Sequence, residues 1–139
     1  SETLRVLKPG GLFIFSTLAY GTLHELKSSW ATVDNDQHVI DFKTAEQLNS
    51  LFNSQQSRLI EQRAQDLVLE YENVLHLVRE LKGLGANHLP KKQNKGLAGK
   101  DKWKKMIHSY QDFQEPSGVY PATYSVYSGM AVKLGSKAE

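Results

Sequence analysis

The chain contains no cysteine. A disulfide scaffold, a thiolate zinc site and a cysteine nucleophile are therefore excluded, and a reducing, cytoplasmic compartment fits. Charge of one sign is also scarce. Seventeen basic side chains stand against fifteen acidic ones, a net of +2, so the chain is neither a wholly basic nucleic-acid coat nor an acidic tail. No apolar run approaches the roughly 18 residues of a membrane span. The opening Ser1-Glu2-Thr3 has neither a methionine nor a signal-peptide pattern. What is present is 139 residues that are 40% hydrophobic, enough for the core of one modest domain. There are no internal repeats. The first apolar strand begins almost at once, near Gly11, as expected of the later part of something longer.

Periodicity predicts an α/β order. Ser1 to Leu7 reads as the end of a helix, and Lys8-Pro9-Gly10-Gly11 as a sharp turn. Gly11 to Leu18 is a nearly continuous apolar run, as in a strand buried on both faces. Thr22-Leu23-His24-Glu25 and Thr44-Ala45-Glu46-Gln47 both have the form of a capping box, with a helix expected after each. Ser57 to Tyr71 reads as a strand. Val74, Leu75, Leu77, Val78 and Leu81 form a helical stripe, ended by Gly83 and Gly85. A polar, Lys- and Gly-rich loop from Asn87 to Lys100 leads to a helix marked by Trp103, Met106, Ile107 and Tyr110. Val119 to Lys133 reads as a long strand. Three strands are few for an open sheet, which again predicts further strands upstream.

Signals of chemistry are sparse. The five histidines do not pair at helical spacing, and no local carboxylate cluster completes a metal site around them. No nucleophile elbow or Walker loop is present. Gly83-Leu84-Gly85 follows a helix instead of a strand and reads as a cap. From Lys82 to Lys105 eight lysines face one acid, Asp101. That patch fits either a solvated face or a dock for an acidic partner. Tyr120 and Tyr124 share one face of the final strand, as core or as lining of a pocket.

Leu4 to Phe13 (LRVLKPGGLF) resembles the helix, turn and fifth strand of class I S-adenosylmethionine-dependent methyltransferases. Three further segments resemble the malonyl-acyl-carrier-protein O-methyltransferases of biotin synthesis. They are Gly21-Thr22-Leu23-His24-Glu25-Leu26 with Trp30 and Asp34, Arg79 to His88, and Tyr120-Pro121-Ala122-Thr123-Tyr124. The likeness runs from about Leu4 to Lys133.

The resemblance implies that residues 1–139 form the C-terminal portion of a single methyltransferase domain. The chain would hold strands five to seven of a partial, Rossmann-like class I sheet with covering helices. In that sheet a reversed final strand is inserted beside the fifth. The cofactor-binding half would lie upstream, so S-adenosylmethionine would be the cofactor of the full-length enzyme, with its binding residues mostly outside this chain. The implied reaction is methylation of the free carboxylate of malonyl-acyl carrier protein, with this chain alone inactive. Arg79 would hold that carboxylate, with Lys82 and His88 beside it, and Tyr120 and Tyr124 would line the acyl or pantetheine channel. Lys91, Lys92, Lys95, Lys102 and Lys105 would dock the acidic carrier protein. No metal, nucleic acid or membrane is expected. An open edge on the fifth strand predicts association with the missing half or with another copy. A related small-acid methyltransferase and a non-catalytic subunit of a split enzyme are the alternatives. A basic RNA-binding module is a more distant one, without a recognised RNA motif.

Overall fold

A computed structural model describes residues 2–85 and 97–135. The elements are α1 (Glu2–Val6), β1 (Leu12–Leu18), α2 (His24–Ala31), α3 (Ala45–Phe52), β2 (Ser57–Tyr71), α4 (Val74–Leu84), α5 (Leu97–Tyr110), a 3-10 turn (Gln111–Phe113) and β3 (Tyr120–Lys133). The chain divides into two compact units. One comprises Ser1–Tyr20, Phe42–Leu67 and Ser125–Glu139; the other comprises Gly21–Asp41 and Val68–Tyr124.

The first unit is built on an α/β sheet of order β1-β3-β2. β1 pairs antiparallel with β3, from Leu12 opposite Val132 to Leu18 opposite Val126. The final strand thus lies between the two earlier ones, the insertion that the resemblance implied. The Lys8–Gly11 turn feeds β1 into this register. Gly10 N–H donates to Lys133 O at 2.8 Å, and Lys133 N–H donates to Gly11 O at 2.9 Å. A Cβ on Gly11 would sit 2.8 Å from Lys8 O, so the turn closes only around glycine.

α3 covers one face of β1. Its start is the expected capping box: Gln47 N–H donates to Thr44 Oγ1 at 3.1 Å, and Thr44 N–H donates to Gln47 Oε1 at 2.9 Å. Buried Ala19, Leu48 and Tyr127 form the core with Phe15 and Ala45 against them. The Phe15 and Phe52 rings stack at 4.1 Å. The other face of β1 departs from expectation. Leu12 and Ile14 are 52% and 69% exposed, so the strand is not buried on both faces. Alternation sends only Phe13 and Phe15 toward α3. The outer edge of β1 has no strand partner among the described residues.

In the second unit, Leu23, Leu26 and Trp30 are buried, as are Met106 and Tyr110 of α5. The Trp30 and Trp103 rings meet edge-on at 5.0 Å. α4 buries Val74, Leu77 and Leu81. Asn73 Oδ1 caps its start, accepting from His76 N–H at 2.8 Å. Gly83 lies inside α4, so Gly85 alone ends it, at φ 69°. α2 starts one residue later than the Thr22–Glu25 pattern predicts. It begins at His24 after Leu23, which sits at φ 59° with no side-chain cap. No helix among the described residues is long and apolar enough to cross a membrane.

Candidate substrate-binding site

The second unit brings the end of β2, the start of β3 and the first turn of α2 together. Glu25 is 3% exposed, and such a carboxylate is tolerated only when hydrogen-bonded. Thr123 satisfies it. The Thr123 N–H donates to Oε2 at 3.1 Å, and the Thr123 hydroxyl donates to Oε1. His24 Nε2 lies 3.3 Å from Oε1. Leu23 N–H in turn donates to Thr123 O at 2.7 Å. The left-handed turn at Leu23 thus seats α2 on β3, and Glu25 grips a distant strand instead of its own helix.

A group of tyrosines lies in the same unit. Tyr110 is fully buried, and its hydroxyl donates to Pro121 O at 2.6 Å. Its ring meets Tyr120 at 6.0 Å and Phe113 at 5.8 Å. The Tyr71 and Tyr124 hydroxyls are 3.0 Å apart. Burial pushes the Tyr71 phenol well above its ordinary pKa, and Glu80 and Tyr124 push it further. Burial raises Tyr110 as well, with the charge of Glu25 adding. Tyr124 is raised by burial against an opposing hydrogen bond from Tyr71, and Glu80 and Glu25 add to the rise. All three are neutral phenols near pH 7. They position by hydrogen bonding and are not bases.

Among the expected residues, Tyr120 and Tyr124 are half-buried within this group. Arg79 and Lys82 are exposed, three residues apart on α4. Among the described residues the Arg79 guanidinium has no hydrogen bond or ion pair, so it is open to an anion. Among the described residues no hydrogen bond joins Arg79 to the tyrosines. His88, Lys91, Lys92 and Lys95 lie outside the described residues. Lys105 is exposed. Lys102 is half-buried and holds Asp34, its Nζ 3.1 Å from Oδ2. Exposed Lys100, Lys104 and His108 follow at four-residue spacing along one side of α5. Sequence reading missed Glu25, Thr123 and Tyr71 as partners. The one signal for Tyr71 was that the strand it closes ends in an aromatic hydroxyl.

Sequence reading also saw no carboxylate cluster beside a histidine. The structure brings ligand atoms of Asp34, Asp36 and His38 within 4.8 Å of one another. Protein donors already occupy Asp34. His38 Nε2 is 2.7 Å from Oδ1, Asp36 N–H donates to the same oxygen at 3.1 Å, and Lys102 takes Oδ2. The His38 ring lies flat on Trp30, 3.8 Å away at 9°. With a lysine ammonium on the carboxylate, the group is an internal network that fastens α5 to the segment after α2.

Curated relatives match this chain over most of its length. It is 38% identical to the biotin biosynthesis bifunctional protein BioHC of Teredinibacter turnerae, over 91% of this chain and 22% of that protein. It is 37% identical to malonyl-acyl-carrier-protein O-methyltransferase 1 of Coxiella burnetii, over 94% of this chain and 45% of that enzyme. The corresponding enzyme of Hahella chejuensis is 39% identical, over 91% of this chain and 44% of its own length. The chain is a homologue of the malonyl-acyl-carrier-protein O-methyltransferases. It spans about half the length of the single-function relatives it matches and about a quarter of the bifunctional ones. No family model matches it.

A class I methyltransferase grips its methyl donor with a glycine-rich turn after a strand. Neither strand-to-helix junction described here has one. β1 leads to α2 through Ala19-Tyr20-Gly21-Thr22-Leu23, and β2 leads to α4 through Glu72-Asn73. The described residues therefore do not fit a complete S-adenosylmethionine site.

Proposed function

We propose that this chain is the C-terminal, substrate-handling portion of an S-adenosylmethionine-dependent methyltransferase. Its acceptor is the free carboxylate of malonyl-acyl carrier protein in biotin synthesis. The observation that carries the reading is the 37–39% identity to two enzymes so named, over 91–94% of this chain. The methyl donor belongs to the portion of those enzymes that the chain does not span. When bound there, it supplies an electrophilic methyl group to the carboxylate.

A carboxylate is already a nucleophile at neutral pH, so this chain need supply no general base. Its task is alignment and shielding. Arg79, whose guanidinium has no partner among the described residues, is suited to hold the malonyl carboxylate in a bidentate pair, and Lys82 and His88 stand next to it in sequence. Tyr120 and Tyr124 line the thioester arm. Lys100, Lys104 and Lys105 on α5, continuous in sequence with Lys91, Lys92 and Lys95, present positive charge to the acidic carrier protein.

The test is a chimera in which this chain replaces the matching segment of the Coxiella or Hahella enzyme. Transfer of labelled methyl to malonyl-carrier protein is expected, with free malonyl-CoA a poorer acceptor. A folded chimera that methylates neither sinks the reading. Arg79→Ala in the chimera is expected to lower kcat/KM by about a hundredfold or more, the loss of one charged hydrogen-bonded contact. Raising the salt from 50 to 500 mM is expected to weaken carrier-protein binding progressively. A salt-independent KM removes the lysines from the dock.

A further inference from the structure

The opening of β3 is held at three successive residues. Pro121 O accepts from the Tyr110 hydroxyl at 2.6 Å. Ala122 is fully buried. Thr123 is bonded at three atoms by the residues around the start of α2. Its N–H donates to Glu25 Oε2 at 3.1 Å, its hydroxyl donates to Glu25 Oε1, and its O accepts from Leu23 N–H at 2.7 Å. The pairing of β1 with β3 ends at Leu18 opposite Val126. Past that point the Leu23 N–H and the Glu25 carboxylate give Thr123 one donor and one acceptor, as a paired strand residue would. The Glu25 side chain thus does for Thr123 what backbone does elsewhere in the sheet.

Seating a helix on a strand does not require such a grip. Apolar contact would do it without taking a carboxylate out of water, which is costly. Apolar contact is also non-directional, whereas hydrogen bonds to the two oxygens of one planar group fix an orientation. What Glu25 adds is therefore the rotation of β3 about its own axis at Thr123. Tyr124 is the next residue, and its side chain turns with that rotation. Its hydroxyl ends 3.0 Å from that of Tyr71. Resting on the reading above, in which Tyr124 lines the thioester arm, we propose that Glu25 is a positioning residue of the methyl-transfer site. Through Thr123 it sets where the Tyr124 side chain stands against the substrate. Glu25 itself meets no substrate, since it is buried and both of its oxygens are bonded within the protein. Such a role has consequence because a shift of about 1 Å in a group that aligns a substrate costs on the order of a hundredfold in rate.

The probe is malonyl-pantetheine. Its binding to this chain is read by calorimetry or by NMR shift titration, with the urea midpoint of each variant measured alongside. Thr123→Val keeps the shape and the β-branching but removes the hydroxyl. It is expected to weaken binding roughly tenfold, the scale of one lost hydrogen bond. Thr123→Ser, which restores the hydroxyl, should recover most of that loss. In a Tyr124→Ala background the same Thr123→Val step should change the affinity little, because the group that Glu25 places is gone. That non-additivity is the signature of a residue acting through Tyr124. In Glu25→Gln the amide oxygen can still accept from the Thr123 N–H, and the amide can donate to the hydroxyl. This variant should weaken binding by less, with the same dependence on Tyr124, and it carries the test if Thr123→Val does not fold. A purely structural grip would lower the urea midpoint and leave the affinity of the folded chain unchanged, and that outcome overturns the proposal. So would equal losses with and without Tyr124, a Thr123→Ser chain as weak as Thr123→Val, or no malonyl-pantetheine binding by the unsubstituted chain. No methyl donor enters the assay, so failure of the methyl-transfer reading is seen separately, in the chimera.

Discussion

Asp34 links α5 to the segment after α2 through one carboxylate. Burial pushes its carboxyl up, but the hydrogen bonds from His38, Lys102 and the Asp36 backbone outweigh this and hold it below the ordinary value. The sign of the pH effect follows. A depressed folded-state pKa means that the unfolded chain takes up the proton first. The network contributes in full above the unfolded carboxylate pKa of about 3.9, and its contribution is lost as pH falls through the lower, folded value. Asp34→Asn is therefore expected to lower the urea midpoint at neutral pH and to flatten its decline between about pH 5 and pH 2. An unchanged acid slope would show that the ion pair is not coupled to folding. Glu25 shows a limit of residue-level reading. Its spacing from Thr22 satisfies a capping pattern, yet its partner Thr123 is 98 positions away, and no local window contains both.

At the scale of elements, local periodicity was a good guide wherever the deciding contacts are local. The Thr44 cap, the Ser57–Tyr71 strand and the Trp103–Tyr110 stripe all stand where their patterns put them. The burial of β1 was not legible, because an apolar run reads alike whether one face or two are covered. The basic helix also begins earlier than expected, at Leu97, inside what read as a loop to Lys100. Of the site, the tyrosines of β3 were visible, and their hydroxyl partners were not. Tyr71 and Tyr124 lie on separate strands, 53 positions apart. Packing between β1 and β3 gives a further prediction. A Cβ on Gly129 would lie 2.6 and 2.8 Å from Phe15 ring atoms and 3.1 Å from Leu59 Cδ1. The Phe15 ring is held by its stack on Phe52 and has little room to give. Gly129→Ala is expected to cost about 1–3 kcal/mol, read as a lower denaturation midpoint with an unchanged slope.

For the whole molecule, the open edge matters most. β1, LFIFSTL, has no charge and no proline, the usual guards of an edge strand. Exposed Leu12 and Ile14 add an apolar face beside it. Isolated, the chain is expected to self-associate with rising concentration, and Ile14→Lys to shift it toward monomer in sedimentation velocity. A chain that stays monomeric at high concentration would show that the edge is quiet. The sheet order has a temporal side as well. β3 pairs between β1 and β2 but follows both in the chain, and Ser16 meets Ser128 only across 112 positions. On a ribosome, β1 therefore emerges and waits for its neighbour while those residues are made, roughly ten seconds at ordinary speeds of translation. A pause before Tyr120 prolongs that wait without altering any native contact, so the yield of folded chain is set by the clock of synthesis as well as by the strength of the finished sheet.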